Sequence, residues 1–79
     1  MNDMEMNDFI KNFGQQFDDT DVSTFTPETR FRELEEWSSL NALAVLNMIG
    51  KKYGIKILPD EMKPTQTIQE LYDLVHSKK

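Results

Sequence analysis

The chain has 79 residues, enough for one domain with a small core. Fourteen acidic and nine basic side chains give a formal net charge of −5, which argues against nucleic-acid binding, because that function requires a basic face. Without cysteine it can form neither disulfides nor a thiolate metal site. It has neither a signal-peptide pattern nor an apolar run near the ~20 residues that span a bilayer. We expect a single cytoplasmic domain over residues 1–79, monomeric and without a nucleic-acid or membrane partner.

The first predicted helix extends from about Asp3 to Phe17. Its apolar residues recur at spacings of three and four, which is the period of one helix face. The aromatic members could form a ligand platform, but the helical spacing already explains them as core residues: Met6, Phe9, Ile10, Phe13 and Phe17.

A long polar connection follows this helix. Its clustered aspartates suggest calcium, but the glycine and the terminal glutamate of an EF-hand loop are missing, which favours a solvated loop with no metal. Thr26 and Pro27 suit the cap and the first position of a helical turn. Phe25, Phe31 and Leu34 are expected to fix the connection to the core.

The second predicted helix begins at two adjacent serines, Ser38 and Ser39, and ends near Tyr53 before Gly54, a typical C-terminal residue. A serine at a helix start is usually a cap, because its hydroxyl accepts a hydrogen bond from a free backbone N–H group. A second serine just inside the helix would point at solvent. The partial positive charge at that helix end favours a phosphate, so a phosphodiester would be stabilised there.

The face of this helix toward the core is predicted to contain Val45, Leu46, Ile49 and Tyr53. A second set of residues falls near the exposed side beside the serine: Leu40, Leu43, Ala44 and Asn47. Exposed apolar side chains there would suit a partner protein. A helix enclosed by neighbouring elements would show the same pattern.

The last third of the chain predicts an extended connection, a short helix and a final helix. The segment 55–58 alternates like a strand but has no second strand to pair with. Pro59 to Met62 predicts the short helix, and Thr67 with Glu70 forms a capping box that opens the final one. The predicted inward residues of the final helix are Ile68, Leu71, Tyr72 and Val75, and residues 76–79 are expected to be a frayed tail.

The ordered set of Phe31, Leu34, Ser39 and Leu40, the helix exit Tyr53-Gly54-Ile55 and the last helix from Thr67 to Val75 resembles the acyl carrier protein family. The resemblance covers about Phe9 to Val75. It implies an all-α bundle of three main helices plus one short helix, with a long loop between the first and second helices.

The resemblance also implies a function. The family carries Asp-Ser-Leu at this junction, and the serine, here Ser39, receives 4′-phosphopantetheine from a phosphopantetheinyl transferase. The thiol of that arm holds acyl groups as thioesters for acyl-transfer and chain-elongation enzymes of fatty-acid, polyketide or related pathways. The protein itself would not be an enzyme. The expected lining of a groove for the acyl cargo is Leu43, Leu46, Ile57, Leu58, Met62 and Ile68.

Two departures from the family pattern bear on function. The motif aspartate, which is implicated in the transferase's metal-dependent reaction, is Ser38 here. The second helix, usually acidic on its exposed face in the family, offers Asn41, Ala44, Asn47, Gly50 and Lys51. Docking to partner enzymes would then use the upstream acids together with the exposed face beside the serine: Glu33, Glu35, Glu36, Leu40, Leu43, Ala44 and Asn47.

Two other functions stay open on the sequence alone. The missing aspartate suggests a carrier-like protein that remains unmodified and serves as an interaction module. A small enzyme is the weaker alternative, because the single histidine, His76, has no nucleophile or paired acid in a matching pattern.

Overall fold

The structure of the chain is a computed structural model that describes residues 5–78. Within that range the chain is all-α, as predicted, with three main helices and a short one. They are α1 (Met6–Gly14), α2 (Ser39–Tyr53), α3 (Pro59–Met62) and α4 (Ile68–Ser77), and two 3₁₀ turns interrupt the long connection at Val22–Thr24 and Phe31–Glu33. The predicted bounds of α2 and α3 are confirmed. None of the helices in this range is long and apolar enough to cross a membrane.

Helix α1 is shorter than its apolar pattern predicted. The expected start near Asp3 lies outside the described residues, and the helix ends at Gly14 instead of Phe17. After Gly14 the chain tightens, because Gln16 and Phe17 donate to the carbonyls three residues before them. Gly14 lies so close to Val22 that a Cβ atom there would be 2.9 Å from the Val22 Cβ. The returning connection therefore packs on the end of α1.

The core is built around aromatic side chains from α1 and from the long connection. Phe9 and Phe13 of α1 are completely buried, and so is Phe31 of the connection. The Phe13 ring has three aromatic neighbours with ring centroids 5.4–5.9 Å away: Phe17, Phe25 and Phe31. The predictions that the aromatic stripe is core, and that Phe25 and Phe31 fix the connection to it, are confirmed.

Helix α2 contributes Val45 and Ile49 to the core, as predicted. Leu46 and Tyr53 are only partly buried. The Tyr53 hydroxyl accepts a hydrogen bond from the Asn12 side chain at 3.0 Å, so this tyrosine keeps its polar end near the surface.

The second half of the connection is held against α4 by backbone hydrogen bonds. The Ile68 and Gln69 N–H groups donate to the Thr29 and Pro27 carbonyls at 3.1 and 2.8 Å. The helical turn predicted at Thr26 and Pro27 is wrong, since the chain forms only an isolated turn there, closed by the Thr29 N–H on the Thr26 carbonyl. The Pro27 and Thr29 carbonyls instead accept from N–H groups in the first turn of α4 that lack a partner within the helix.

Helices α3 and α4 follow their sequence signals closely. Thr67 accepts from the Glu70 N–H at 3.1 Å, and the Glu70 carboxylate accepts from the Thr67 N–H, which completes the predicted capping box. The tail predicted over residues 76–79 is wrong for residues 76–78, because His76 and Ser77 are helical and Lys78 forms an ion pair with Glu61; Lys79 lies outside the described residues. That ion pair also lowers the pKa of the Glu61 carboxyl below its ordinary value.

Two glycines, one inside α2 and one directly after it, predict opposite responses to alanine. Gly50 lies inside the helix, and a Cβ there would meet no atom closer than 3.9 Å. We expect Gly50→Ala to raise the free energy of unfolding by about 0.5–1 kcal/mol, because alanine loses less backbone entropy in a helix. Gly54 has a φ of 67°, which an alanine adopts only with strain, so Gly54→Ala should lower the free energy of unfolding by about 1–2 kcal/mol. Urea unfolding of both variants tests this pair, and equal shifts would contradict it.

Candidate functional site

Ser38 occupies the N-cap position of α2 but does not cap the helix with its side chain. Its backbone is extended, with φ −153° and ψ 178°, as a cap residue requires. Its hydroxyl, however, donates to the Asn41 Oδ1 atom at 2.9 Å and accepts no N–H group. The predicted side-chain cap is therefore wrong: the hydroxyl interacts with the side chain of Asn41 and not with a backbone N–H group.

Asn41 joins the start of α2 to the end of the segment that leaves α1. It was predicted on the exposed face, but only 9% of it is exposed. Its Nδ2 group donates to the Gln16 carbonyl at 3.2 Å, while its Oδ1 atom accepts from Ser38. Both ends of the amide are thus occupied, as burial demands. This small network fixes the position of the serine pair on the bundle.

Ser39 is the first residue of α2 and differs in its hydrogen bonding from Ser38, which is exposed as well. It is exposed, and within residues 5–78 its hydroxyl makes no hydrogen bond. The Ser38 hydroxyl would have to leave Asn41 before it could react, whereas the Ser39 hydroxyl is already free in the described structure. Of the two adjacent serines, the geometry therefore favours Ser39 for covalent attachment.

The unusual Ser38 geometry leaves the start of α2 open. Ala42 donates to the Ser38 carbonyl at 3.0 Å, which is the first hydrogen bond of the helix. The N–H groups of Ser39, Leu40 and Asn41 precede it, and no side chain of the described part of the chain accepts from them. Free N–H groups at a helix start attract anions, because the helix dipole adds to their own polarity. A phosphate on Ser39 would lie beside these groups.

Glu36 was predicted to dock partners, but its carboxylate is already engaged inside the chain. It accepts from the Thr20 hydroxyl at 2.6 Å and from the Asp18 and Asp19 N–H groups at 2.8 and 3.0 Å. The hydrogen bond from Thr20, followed by that from Asp18, lowers the pKa of Glu36 below its ordinary value. Glu36 therefore ties the segment 18–20 to the residues just before Ser39.

This role of Glu36 predicts an acid-sensitive contact. Because the pKa of Glu36 is lower in the folded protein than in the unfolded chain, the contact stabilises the fold at a pH above the unfolded-state pKa. This stabilisation is lost as the pH falls through the folded-state pKa. Glu36→Gln should remove that part of the pH dependence and destabilise the protein at pH 7, because an amide cannot accept all three bonds as a carboxylate does. Glu35→Gln is the matched control, since Glu35 is exposed. Urea unfolding of both variants between pH 3 and 7 measures the difference, and equal curves would contradict it.

The other two predicted docking acids differ from each other. Glu33 pairs with Arg30 at 3.8 Å, with both side chains largely exposed. Glu35 forms no ion pair within the part of the chain that the structure describes. The local acidic surface beside Ser39 is consequently smaller than the sequence suggested.

Two apolar grooves lie along α2 where the sequence predicted one. The first, which we call the tryptophan groove, has a volume of about 290 Å³ and opens beside Ser39. The Arg32 guanidinium is fixed there, donating to the Met62 and Thr65 carbonyls at 2.7 Å. The lining residues include Arg32, Trp37, Ser39, Leu43, Leu46 and Met62.

The second groove, which we call the lysine groove, has a volume of about 540 Å³ and shares Leu43 and Leu46 with the first. Its lining also includes Lys51, Lys56, Ile57 and Leu58. The predicted cargo-lining residues are thus divided between two grooves. Ile68 lines neither of them, because it is completely buried in the core.

The exposed face of α2 is apolar next to the serine. Leu40 is 79% exposed and Leu43 is 54% exposed, and Asn47 is exposed one turn further on. Ala44 is half-buried and contributes less. Exposed apolar side chains that lie together often mark a surface that meets partner proteins.

The chain is thus a small all-α bundle that exposes a serine at the start of its longest described helix, an arrangement that suits a domain carrying a covalent group. A family model described as a phosphopantetheine attachment site matches residues 8–75. The chain belongs to this family, whose members bear covalently attached 4′-phosphopantetheine and act as carriers without catalysis. No curated protein and no solved structure matched the chain.

Sequence reasoning missed several residues of the site. Asn41 could have been suspected, since it lies three residues after Ser38 and within hydrogen-bonding range of a helix start. Trp37 directly precedes the serine pair and could have been assigned to the groove. The partners of Arg32 and Glu36 could not have been found in this way. The contacts of Arg32 are with residues 30 and 33 places away along the chain, and those of Glu36 are with residues 16 to 18 places away.

Proposed function

We propose that this chain is an acyl carrier protein that holds acyl intermediates on a 4′-phosphopantetheine arm attached to Ser39. The observation that carries the proposal is the free, exposed Ser39 hydroxyl at the open start of α2, within a chain that belongs to the phosphopantetheine-attachment family. A phosphopantetheinyl transferase would load the arm from coenzyme A. We place the protein in the cytoplasm as a monomeric carrier domain over residues 1–79.

The chemistry of the proposed carrier divides between arm and protein. The arm supplies the thiol that forms thioesters. The protein exposes Ser39, offers free N–H groups to the phosphate and places the Arg32 guanidinium in the adjoining groove. Fatty-acid, polyketide or related biosynthetic enzymes would use the loaded arm as substrate.

The tryptophan groove is the better of the two candidates for receiving the arm and its cargo, because Ser39 lines it. Leu43, Leu46 and Met62 offer it an apolar surface. Ile57 and Leu58 would contribute to cargo binding only if the acyl group of the cargo passed over Leu43 and Leu46 into the lysine groove.

In vitro loading tests the proposal. The purified protein is incubated with coenzyme A and a broad-specificity phosphopantetheinyl transferase, followed by intact mass measurement and mapping of the modified peptide. A single addition on Ser39 is expected. A folded protein that takes no addition, in a reaction where a control carrier is loaded, would overturn the assignment.

The alternative function is an unmodified interaction module, and the replacement of the motif aspartate by Ser38 supports it. If the missing carboxylate slows loading, Ser38→Asp should raise kcat/KM for a standard transferase, because it restores the carboxylate of the family motif. A negative side chain is also favourable at the start of a helix. Ser38→Asn, similar in size but uncharged, is the control. Equal rates for wild type and Ser38→Asp would remove this explanation.

A further inference from the structure

We propose that the lysine groove is a docking site for a protein partner that inserts an apolar side chain flanked by carboxylates. The proposal concerns a partner, not the prosthetic arm, and it holds whether or not Ser39 is modified. It reverses the charge expected for docking from the acids Glu33, Glu35 and Glu36.

The first support is the apolar surface that the groove leaves uncovered. Leu43 on α2 and Leu58 just before α3 both line it and are 54% and 49% exposed. Gly50 and Gly54 also line the groove, and neither has a side chain that could cover the leucines. Leu40, 79% exposed, extends the same surface toward Ser39. A small protein gains by burying such leucines against a partner.

The second support is the charge around these leucines. Lys51 and Lys56 line the groove and are exposed. Neither forms an ion pair in the range 5–78, whereas Arg30, Lys63 and Lys78 each pair with a nearby acid. Among the residues that the structure describes, no aspartate or glutamate lines the groove. Carboxylates on a partner would therefore complement the groove without displacing an existing contact.

The net charge of −5 does not oppose this docking at short range. The Debye length is about 8 Å at physiological salt, so the nearest charges dominate once two surfaces meet. An anionic membrane is the less suitable occupant, because recognition of anionic lipid usually takes a cluster of about 4–8 basic residues. The groove offers two lysines and a concave shape, which fit a side chain better than a lipid surface.

Two synthetic helical peptides test the proposal directly. Both carry leucines at i, i+3 and i+7. One has glutamates beside the leucines, and the other has lysines there. Each is titrated into ¹⁵N-labelled full-length protein, and backbone amide shifts locate the binding. We expect the acidic peptide to shift residues 43–58 around the groove and to bind on the order of tenfold more tightly than the basic one, with less difference at high salt.

Charge-reversed variants complete the test. Lys51→Glu with Lys56→Glu should weaken binding of the acidic peptide on the order of tenfold. Lys11→Glu with Lys52→Glu is the control, because it gives the same net charge and alters Lys52, which is next to Lys51 on α2. Lys11 and Lys52 line a different depression, so this variant should bind the acidic peptide as wild type does. Circular dichroism checks that both variants fold.

Three results would overturn the proposal. They are equal binding of the two peptides, amide shifts outside the groove, and equal weakening in the control variant. Binding of phosphatidylglycerol vesicles, lost in the Lys51 and Lys56 variant, with no binding of the acidic peptide, would assign the groove to lipid instead. Because none of these measurements uses coenzyme A or Ser39, their outcome is independent of the loading experiment.

Discussion

Replacing Ser39 by alanine is expected to abolish loading with phosphopantetheine completely, while leaving the fold intact. The hydroxyl is the only acceptor atom that the proposed reaction uses, so no partial activity should remain. Because the Ser39 hydroxyl makes no hydrogen bond in the described structure, its removal costs no internal contact. Alanine also has a higher helix propensity than serine. Intact mass after incubation with coenzyme A and transferase measures the loss.

Ser38→Ala is the matched control for this prediction. It removes the hydroxyl that donates to Asn41 and leaves the Asn41 Oδ1 atom without that donor, but Ser39 stays in place. Loading at Ser39 should persist, with a modest loss of stability from the lost hydrogen bond of about 1 kcal/mol. Addition at Ser38 in the Ser39→Ala variant would contradict the assignment. Unfolding of Ser39→Ala would show that the serine is structural.

Phe13→Ala is expected to cause a large loss of stability. Phe13 is completely buried, and its ring contacts those of Phe17, Phe25 and Phe31. Truncating a buried phenylalanine usually costs about 3–5 kcal/mol, from lost burial and from the cavity left behind. A domain of this size has a total stability near the lower end of about 5–15 kcal/mol, so the variant should be largely unfolded at 37 °C.

The control is Leu58→Ala, since Leu58 is 49% exposed and should lose about 1 kcal/mol or less. Thermal and urea unfolding, followed by circular dichroism, compare the two variants with wild type. A Phe13→Ala protein with a stability within 1 kcal/mol of wild type would mean that the aromatic cluster does not organise the core.

Local signals in the sequence predicted the helices well. The bounds of α2 follow from the serine pair at one end and from Gly54 at the other, where the left-handed backbone suits a residue without a Cβ atom. The Thr67 and Glu70 box fixed the start of α4 in the same way. In both cases the residues that set a helix boundary are close together in the sequence, so the boundary can be predicted without knowledge of the fold.

The site was predictable only in part, because its contacts join distant segments. The position of Ser39 follows from the start of α2, but the geometry of Ser38 depends on an amide, Asn41, held by the Gln16 carbonyl. Glu36 looked like a free surface acid, and only the folded connection brings segment 18–20 within hydrogen-bonding range. The division into two grooves likewise depends on where α3 packs beside α2.

The same reasoning explains the wrong end of α1. Apolar spacing continues to Phe17, and Phe17 is indeed buried. The chain reaches this position through turns instead of helix, because Gly14 packs against Val22 from a later part of the connection. Periodicity reported which residues are buried, but the tertiary contact decided where the helix stops.

The most direct test of the carrier function is the intact mass of the protein isolated from its own cells, with the peptide containing residues 38–39 mapped by fragmentation. We predict a population that bears one phosphopantetheine group, bonded to the Ser39 oxygen and carrying either a free thiol or an acyl thioester. A protein recovered folded but entirely without this addition, under growth conditions where other carriers are loaded, would contradict the account and favour the unmodified interaction module.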